Sequence, residues 1–288
     1  LHETPSTATL DGDAGLGLVI GPKAMRLAMT KAATAGTGWV AVQNSNHFGI
    51  AGYHAMLPLS QQMIGMAMTN ASALVAPTHS TERLLGTNPI AVAIPANQEA
   101  PFVADMATTA VANGKLEVLQ RKGKDMPLGW AQDAQGQAST DPSILKKGGA
   151  MLPLGSDPQH SSHKGYALGS IADIFSAILS GASYGPWVPP FPAYVPMPEN
   201  MPGKGLGHFM GALRIDAFRP AEDFLHHMDH WLHRFRQASA IDPQQPVLVP
   251  GDPERKAEAQ HRKEGIVLLA PVIEDLAAVA KQLGLDNC

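Results

Sequence analysis

Short apolar runs alternate with helix-forming segments along this chain, and the alternation restricts the folds that it can adopt. Strand-like runs lie at residues 39–42, 64–70, 89–95, 102–107, 207–218 and 246–252. Helices are predicted at 22–35, 49–62, 164–182, 220–237 and 270–284, with another after Met106 and a hairpin or loop around Gly136. This order predicts an α/β protein in which helices cover both faces of a largely buried sheet.

The composition allows one large α/β domain or two smaller ones and argues against several kinds of partner. The 288 residues are 44 % hydrophobic and 16 % charged, so a sizeable core can form. A net charge of −4 without a long basic stretch argues against nucleic acid and anionic membranes. No apolar run approaches the roughly 20 residues of a membrane-spanning helix. The one cysteine, Cys288, permits no intrachain disulfide and suits a cytoplasmic protein.

The glycine-rich stretch GLGLVIG, at 15–21, has the composition of a dinucleotide-binding fingerprint but not its context. That fingerprint requires a buried strand, then G-x-G-x-x-G, then a helix. Here the spacing is G-x-G-x-x-x-G, and the preceding residues 8–14 have the composition of a turn. We therefore expect a glycine turn before a helix and no Rossmann motif.

His47 stands in the segment SNHFGIAGYH, shortly after the strand-like run 39–42. A packing histidine rarely needs so many neighbouring glycines, whereas glycines let backbone and imidazole approach a ligand closely. Imidazole titrates near neutral pH, so the functional interpretation is a proton donor or acceptor. The alternative is a histidine that only orders its own loop, and spacing alone does not decide between the two.

Three other charged residues occur where ligand groups often gather. Asp105 ends a strand, where α/β proteins bind ligands, although Asp105 or Thr108 could instead cap a helix. Lys164 opens an apolar helix, where a cation opposes the helix dipole unless an anion binds there; a solvated lysine is the alternative. Asp173, inside the same helix, is either a site carboxylate or a hydrogen-bonded structural one.

His226, His230 and His233 recur at helical spacing in the segment 220–237, an arrangement that can direct imidazoles at a metal ion. No cysteine or carboxylate-rich partner accompanies them. Charged neighbours such as Glu222 indicate a solvated helix face instead. We therefore expect no metal site here, and the sequence suggests none elsewhere.

Taken together, the motifs of this chain resemble those of the malate/L-lactate dehydrogenase family that is distinct from the Rossmann-type enzymes. That family also contains ureidoglycolate, sulfolactate and diketogulonate oxidoreductases. The matching segments cover nearly the whole chain in family order: DGDAGLG, NSNHFGIAGY, GTNPIAVAIP, FVADMATT, GKLEVLQRKGKDMPLGWAQDAQGQASTDP, HKGYALGSIADIFSAILSG, GHFMGALRIDAF and VPGDPE. Each segment is weak evidence alone, but the ordered set is specific.

The resemblance implies a three-layer α/β/α fold with a mixed sheet, of the L-sulfolactate dehydrogenase type, in a single unit over residues 1–288. It implies a cytoplasmic homodimer that binds NAD or NADP without a Rossmann fingerprint and acts on a small 2-hydroxy or 2-oxo acid. The site residues carried over by resemblance are His47 as proton acceptor, Thr87 beside the substrate, and Asp105, Met106, Ala107, Lys164, Gly165, Gly251, Asp252 and Pro253 at the cofactor.

Members of this family usually carry an N-terminal helical segment with a Ser-His-Gly motif. We expect the 1–288 unit to lack it, either because it was trimmed or because this version has none. The histidine of that motif serves as acid/base in several members, and a nearby arginine takes the substrate carboxylate. The expected reaction is reversible oxidation of a small 2-hydroxy acid, of malate or lactate type, to its 2-oxo acid. Two alternatives stay open: a non-catalytic nucleotide-binding remnant, and a reductase of cyclic imines.

Overall fold

A seven-stranded mixed β-sheet forms the centre of the computed structural model, which describes residues 1–190 and 200–285. The strands are β1 (His2–Glu3), β2 (Thr7–Gly15), β3 (Thr37–Ser45), β4 (Met63–Thr69), β5 (Ile90–Ile94), β6 (Phe102–Met106) and β10 (Leu206–Arg214). Their spatial order is β1-β2-β3-β10-β4-β5-β6; β2 and β3 are parallel, and the other neighbours are antiparallel. A smaller sheet, in the order β8-β7-β9, contains β7 (Ala131–Gln132), β8 (Ala138–Ser139) and β9 (Ala150–Met151).

Helices cover both faces of the large sheet. The helices of the described residues are α1 (Gly17–Ala35), α2 (Ala51–Met56), α3 (Asn113–Arg121), α4 (Ser162–Asp173), α5 (Ala221–Arg236), α6 (Asp252–Glu264) and α7 (Ala270–Gln282). α1 and α2 pack on one face, where Met25 and Val40 belong to the main core. On the opposite face α4 continues as a π-helical turn, Ile174–Ile178, and Ala172 packs against Phe209. The predicted three-layer α/β/α arrangement with a mixed sheet is confirmed.

Two glycines in the strands let α1 and α2 approach the sheet closely. A Cβ on Gly38 of β3 would lie 2.0 Å from the carbonyl oxygen of Ala28 in α1. A Cβ on Gly65 of β4 would lie 2.0 Å from the carbonyl oxygen of Ala55 in α2. Any side chain at either position would push the helix away from the close-packed interface. The placement of α2, which borders the candidate site, therefore depends on Gly65.

The predictions for the first 22 residues are partly wrong. Residues 8–14, expected to form a turn, lie in strand β2. Asp13 and Ala14 adopt positive φ (52° and 53°), as residues in turns often do. Here this conformation shifts the register of β2 with β3 and does not reverse the chain. α1 begins at Gly17, so Pro22 lies inside the helix and not at its start. A helix does form here, but Gly15 ends β2 while Gly17 and Gly21 lie within α1, so the glycine turn expected before the helix is also wrong.

The segment 246–252 was predicted as a strand that runs into a turn; the strand is wrong, whereas the turn is present at residues 250–251. This segment runs beside β6 and makes one backbone hydrogen bond to it, from the N–H of Val103 to the carbonyl of Pro250 (3.1 Å). It leads directly into α6, a helix that the sequence pattern did not predict. α6 has no buried residue, so it lacks the apolar stripe by which an amphipathic helix is recognised.

Proline and glycine shape two further segments as predicted. The helix expected over 49–62 is α2 followed by the 3-10 turn Leu57–Gln61, which contains Pro58. Of the hairpin or loop expected around Gly136, the structure shows the hairpin, because β7 pairs with β8. The aromatic residues of the proline-rich segment 184–205 predict a loop packed on the surface, but its residues 191–199 lie outside the described residues. In the described part of the chain, no helix has the length and apolar character needed to cross a membrane.

A stack of three buried rings lies beneath the loop that follows β3. The Phe48 ring packs between His54 of α2 and His208 of β10, with centroid distances of 4.5 Å and 4.8 Å. Both imidazoles are fully buried. His208 forms hydrogen bonds with Thr69 Oγ1 through Nδ1 (2.7 Å) and with Ser45 Oγ through Nε2 (2.8 Å). Burial lowers the pKa of His208 to about 3 and also lowers the pKa of His54.

These buried neutral histidines predict that the protein loses stability in acid. The folded pKa of His208 lies below the ordinary value of 6.5, so the unfolded chain binds more protons as the pH falls. The unfolding free energy should be constant above pH 6.5 and should decrease as the pH is lowered from 6.5 to about 3. Each ring contributes up to about 1.4 kcal/mol per pH unit in its window. Urea unfolding at a series of pH values measures this slope.

The His208→Gln variant tests the origin of the slope. It should be less stable than the wild type near neutral pH, but its unfolding free energy should depend less on pH because glutamine does not titrate. His226→Gln, on the exposed face of α5, is the matched control and should leave the slope unchanged. Equal slopes for the wild type and His208→Gln would contradict the assignment of a buried neutral ring.

Candidate functional site

Two cavities lie side by side at the end of β6 and the start of α2. The first, here the His47 cavity, has a volume of about 300 Å³, and its polar side chains are His47, Thr69, Asn70, Thr87 and Asp105. The second, here the Tyr53 cavity, has a volume of about 690 Å³, and its apolar side chains include Tyr53, Met56, Val103, Met106 and Leu248. Ile50 and Asp105 line both cavities, so the two meet at these residues.

The loop that carries His47 from β3 towards α2 is held firmly in place. Phe48 is 1 % exposed within the ring stack, and Asn46 Nδ2 donates a hydrogen bond to the carbonyl of Ala14 (2.7 Å). A Cβ on Gly17, at the start of α1, would lie 2.2 Å from the carbonyl oxygen of Asn46. The helix therefore packs directly on the loop, and His47 is presented from a rigid support.

The His47 imidazole is exposed, and the backbone of its own turn supplies the partner of Nδ1. Its Nδ1 accepts a hydrogen bond from the backbone N–H of Gly49 (3.1 Å). Because a backbone N–H can only donate, Nδ1 carries a lone pair in this arrangement. The proton of the neutral ring therefore sits on Nε2. Gly49 has a φ of 79°, a conformation that favours glycine, and this conformation forms the turn.

Asp105 lies near the end of β6, at the junction of the two cavities. Its Oδ2 accepts a hydrogen bond from the backbone N–H of Gly52 in α2 (2.8 Å). Desolvation raises the pKa of Asp105, the Gly52 N–H acts against this, and the Glu254 carboxylate adds to the rise. Asp105 thus binds the start of α2, while Thr108 Oγ1 donates to the carbonyl of Thr87 (3.1 Å). Neither residue caps a helix that follows β6.

Asp173 is not among the described residues that line the His47 cavity. It is buried, its Oδ1 accepts a hydrogen bond from Asn70 Nδ2 (3.2 Å), and its Oδ2 accepts one from the N–H of Gly185 (2.9 Å). Burial raises the pKa of Asp173. Because Asn70 does line the cavity, Asp173 supports a cavity wall from behind. The structure therefore favours the hydrogen-bonded structural interpretation of this carboxylate.

Two buried asparagines were missed by the sequence reasoning. Asn70 Oδ1 accepts a hydrogen bond from the N–H of Gly207 in β10 (3.0 Å). Asn88 Oδ1 accepts one from the N–H of Ala71, and Asn88 Nδ2 donates to the carbonyl of Gly169 in α4 (both 3.0 Å). Together they join the segments around the His47 cavity. Their position next to strand ends could have identified them from the sequence, because a buried amide at such a place needs several hydrogen-bond partners.

The residues carried over by resemblance divide between the two cavities. Thr87 and Ala107 line the His47 cavity together with His47, Met106 lines the Tyr53 cavity, and Asp105 lines both. Within the described residues, the hydroxyl of Thr87 forms no hydrogen bond of its own. The structure thus brings the predicted catalytic and substrate residues together beside the predicted cofactor stretch 105–107.

The turn 251–253 borders the Tyr53 cavity through Gly251 and Pro253. Gly251 stands at the N-cap of α6 with a φ of 97°. The Asp252 carboxylate accepts hydrogen bonds from Arg236 Nη2 (2.9 Å) and Arg255 Nη2 (2.7 Å). The hydrogen bond from Arg236 holds the pKa of Asp252 well below its usual range. Asp252 therefore stabilises the turn through these two hydrogen bonds, while Gly251 and Pro253 on either side of it border the cavity.

Lys164 and Gly165 are not among the described residues that line either cavity. Lys164 is exposed in the first turn of α4. Gly165 is buried, and a Cβ there would lie 2.3 Å from the backbone nitrogen of Leu154, so close packing requires glycine at this position. Farther along α4, the carbonyl of Gly169 accepts a hydrogen bond from Asn88, which stands between the cavity-lining residues Thr87 and Pro89. The cofactor role of Lys164 stays a prediction.

The histidines of α5 lie on its solvent-facing side. His226, His230 and His233 are exposed. Asp229, which lies among them, accepts a hydrogen bond from the backbone N–H of Glu99 (3.0 Å). This bond connects α5 to the loop after β5. Across residues 1–190 and 200–285, no group of three or more His, Cys, Asp or Glu side chains is placed to hold a metal ion.

Comparison with known proteins agrees with this geometry. The family described as malate/L-lactate dehydrogenase matches residues 1–277. Malate dehydrogenase of Pyrococcus horikoshii is 40 % identical over 290 residues, which cover 100 % of this chain and 78 % of that protein. L-sulfolactate dehydrogenase of Methanothermobacter thermautotrophicus is 36 % identical, over 99 % of this chain and 78 % of that protein. Malate dehydrogenase from Entamoeba histolytica superposes with a TM-score of 0.88 at 31 % identity, over 100 % of this chain and 80 % of that one.

The likeness extends along the whole chain in both sequence and structure. It confirms the family that the ordered motifs indicated and the fold expected from that family. The relatives are dehydrogenases, which confirms the prediction of an oxidoreductase enzyme. The chain belongs to the malate/L-lactate dehydrogenase family.

Proposed function

We propose that this chain interconverts a small 2-hydroxy acid and its 2-oxo acid, with NAD(H) or NADP(H) as the hydride acceptor and donor. The observation that carries the proposal is the meeting of two cavities of different size at Ile50 and Asp105. A small acid in the His47 cavity and a nucleotide in the Tyr53 cavity would touch at this junction. Holding two reactants in contact is the main task of a protein that promotes hydride transfer.

The Tyr53 cavity suits a dinucleotide in both size and chemistry. Its volume of about 690 Å³ lies in the range of cofactor sites. Tyr53 and Met106 offer apolar surface to a base, while Asp105 and Glu254 offer carboxylates that can accept hydrogen bonds from ribose hydroxyls. At Gly251 the backbone reaches the cavity without a Cβ. The nicotinamide, when bound, supplies the hydride chemistry.

The His47 cavity suits a small acid. Its volume is about 300 Å³, and the hydroxyl of Thr87 is available to a substrate oxygen. We assign His47 to the C2 oxygen of the substrate, where charge changes as the hydride leaves or arrives at C2. Asp105, at the junction, orients the start of α2 through the Gly52 N–H.

Cofactor binding is the first test of the proposal. We expect saturable binding of NADH or NADPH, followed by cofactor fluorescence. Lys164→Ala should weaken binding by about 1–3 kcal/mol if a charge-assisted contact is lost. Lys281→Ala, on the exposed face of α7, is the control and should bind as the wild type does. If folded protein shows no saturation with either cofactor at millimolar concentration, the cofactor proposal fails.

His47→Ala should impair turnover far more than cofactor binding. His47 lines the substrate cavity and is not among the described residues that line the Tyr53 cavity. Loss of a group that acts on the reacting oxygen lowers kcat by about 10²–10⁴-fold. Kinetics on the full-length enzyme with 2-oxo acids and with cyclic imines, beside a cofactor titration, measure this effect and the substrate class. Near-normal turnover of the variant would contradict the assignment.

We further propose that the enzyme is a cytoplasmic homodimer. Along α4 and its π turn, an apolar stripe is at least 41 % exposed; it contains Ile171, Ile174, Phe175, Ile178 and Leu179. Such a contiguous apolar surface favours a second copy as its cover. Sedimentation should show a dimer for the wild type and a monomer for Ile178→Glu. Ile241→Glu, in an exposed loop, is the control and should stay dimeric. A monomeric wild type would contradict the proposal.

A further inference from the structure

We infer that His47 is a fixed hydrogen-bond donor to the C2 oxygen of the substrate and keeps its proton throughout the reaction. This inference rests on the proposed function, because it assigns a role within the proposed substrate cavity. It differs from the proton-acceptor role that family resemblance implies for the same residue. The distinction comes from the turn that holds the imidazole.

The hydrogen bond at Nδ1 determines where His47 carries its proton. The Gly49 N–H donates to Nδ1 at 3.1 Å, so the neutral ring is protonated at Nε2. An Nε2–H can donate a hydrogen bond, but it has no lone pair with which to take a proton from a substrate hydroxyl. A ring ready to accept a proton at Nε2 would carry its own proton at Nδ1. That proton would face the Gly49 N–H and repel it.

The turn resists the rearrangement that the other tautomer would need. Phe48, between His47 and Gly49, is 1 % exposed and stacked between two buried imidazoles. Gly49 has a φ of 79°, and a Cβ on it would lie 2.7 Å from Leu18 Cδ2 of α1. Turning the Gly49 N–H away from the ring would disturb this packed backbone and leave a donor without its partner. The Nε2–H tautomer is therefore built into the loop.

A fixed donor at this place serves both directions of the reaction. When a hydride arrives at C2 of a 2-oxo acid, the carbonyl π bond breaks and negative charge collects on the C2 oxygen. A preorganised N–H stabilises that charge without reorienting. In the oxidation direction the same N–H binds the oxygen as the carbonyl forms. The C2 oxygen takes its proton from water during reduction and releases it to water during oxidation, so the imidazole ends each turnover as it began.

The tautomer can be observed directly in the free enzyme. Two-bond ¹H–¹⁵N correlation spectra of histidine-labelled full-length protein distinguish a protonated ring nitrogen from an unprotonated one. The His47 signals are identified by their absence from the spectrum of His47→Gln. We expect a protonated Nε2 and an unprotonated Nδ1. A ring protonated at Nδ1 would overturn the inference and leave the proposed function standing, because this readout does not depend on turnover.

Two substitutions separate a donor from a proton carrier. Glutamine in His47→Gln offers an amide N–H near the position of Nε2, whereas leucine in His47→Leu offers similar bulk and no donor. We expect kcat/KM of the glutamine variant to stay within about tenfold of the wild type, with the same pH profile, and the leucine variant to lose about 10²–10³-fold.

The opposite pattern contradicts the donor role. A glutamine variant as slow as the leucine variant, or one that loses a pH inflection of the wild type, would overturn the inference. Failure of the wild-type enzyme to turn over any 2-oxo acid, while it binds NADH, is a different result. It would refute the proposed function itself, and the inference would fall with it.

Discussion

The Phe48 ring, held between the buried imidazoles of His54 and His208, is the contact on which the candidate site depends. It joins the loop after β3 to β10 on one side and to α2 on the other. His54 Nε2 also donates a hydrogen bond to the carbonyl of Phe48 (2.7 Å), so the backbone is anchored as well as the ring. His47 and Gly49 flank this anchor in sequence. The site therefore shares the rigidity of the core, which in turn requires both buried imidazoles to stay neutral.

The short helix α2 connects this anchor to both cavities. Ile50, just before the helix, lines the two cavities at their junction, and Gly52 binds the Asp105 carboxylate at the end of β6. His54, two residues farther on, completes the ring stack. One turn and a half of helix thus determines where a substrate and a cofactor would meet. The close approach of α2 to the sheet at Gly65 keeps these three contacts in register.

The large sheet was mostly predictable because its central strands are apolar runs bounded by turn residues. β2 was not predicted for two reasons. It lies near the edge of the sheet and exposes much of its length, so it lacks an apolar run, and it contains Gly12 and Asp13, which are typical of turns. α6 escaped for a different reason. It buries no residue, and its start is held by Asp252 with Arg236 and Arg255. The pairing of Asp252 with Arg236 joins parts of the chain that no local pattern relates.

The candidate site was predictable as far as chemistry follows from residue type, since His47, Thr87 and Asp105 line one cavity. Residue type does not reveal the partner of each polar atom. Lys164 carries the expected charge at a helix start, yet it lies outside the described lining of both cavities.

His47 shows this limit most clearly. The sequence identifies an imidazole that can donate or accept a proton, but a backbone N–H two residues away selects between the two. That N–H belongs to a glycine with positive φ, next to an aromatic side chain buried in the core. The hydrogen-bonding state that the site presents to its substrate is therefore a consequence of core packing, and it becomes visible only once the chain is folded.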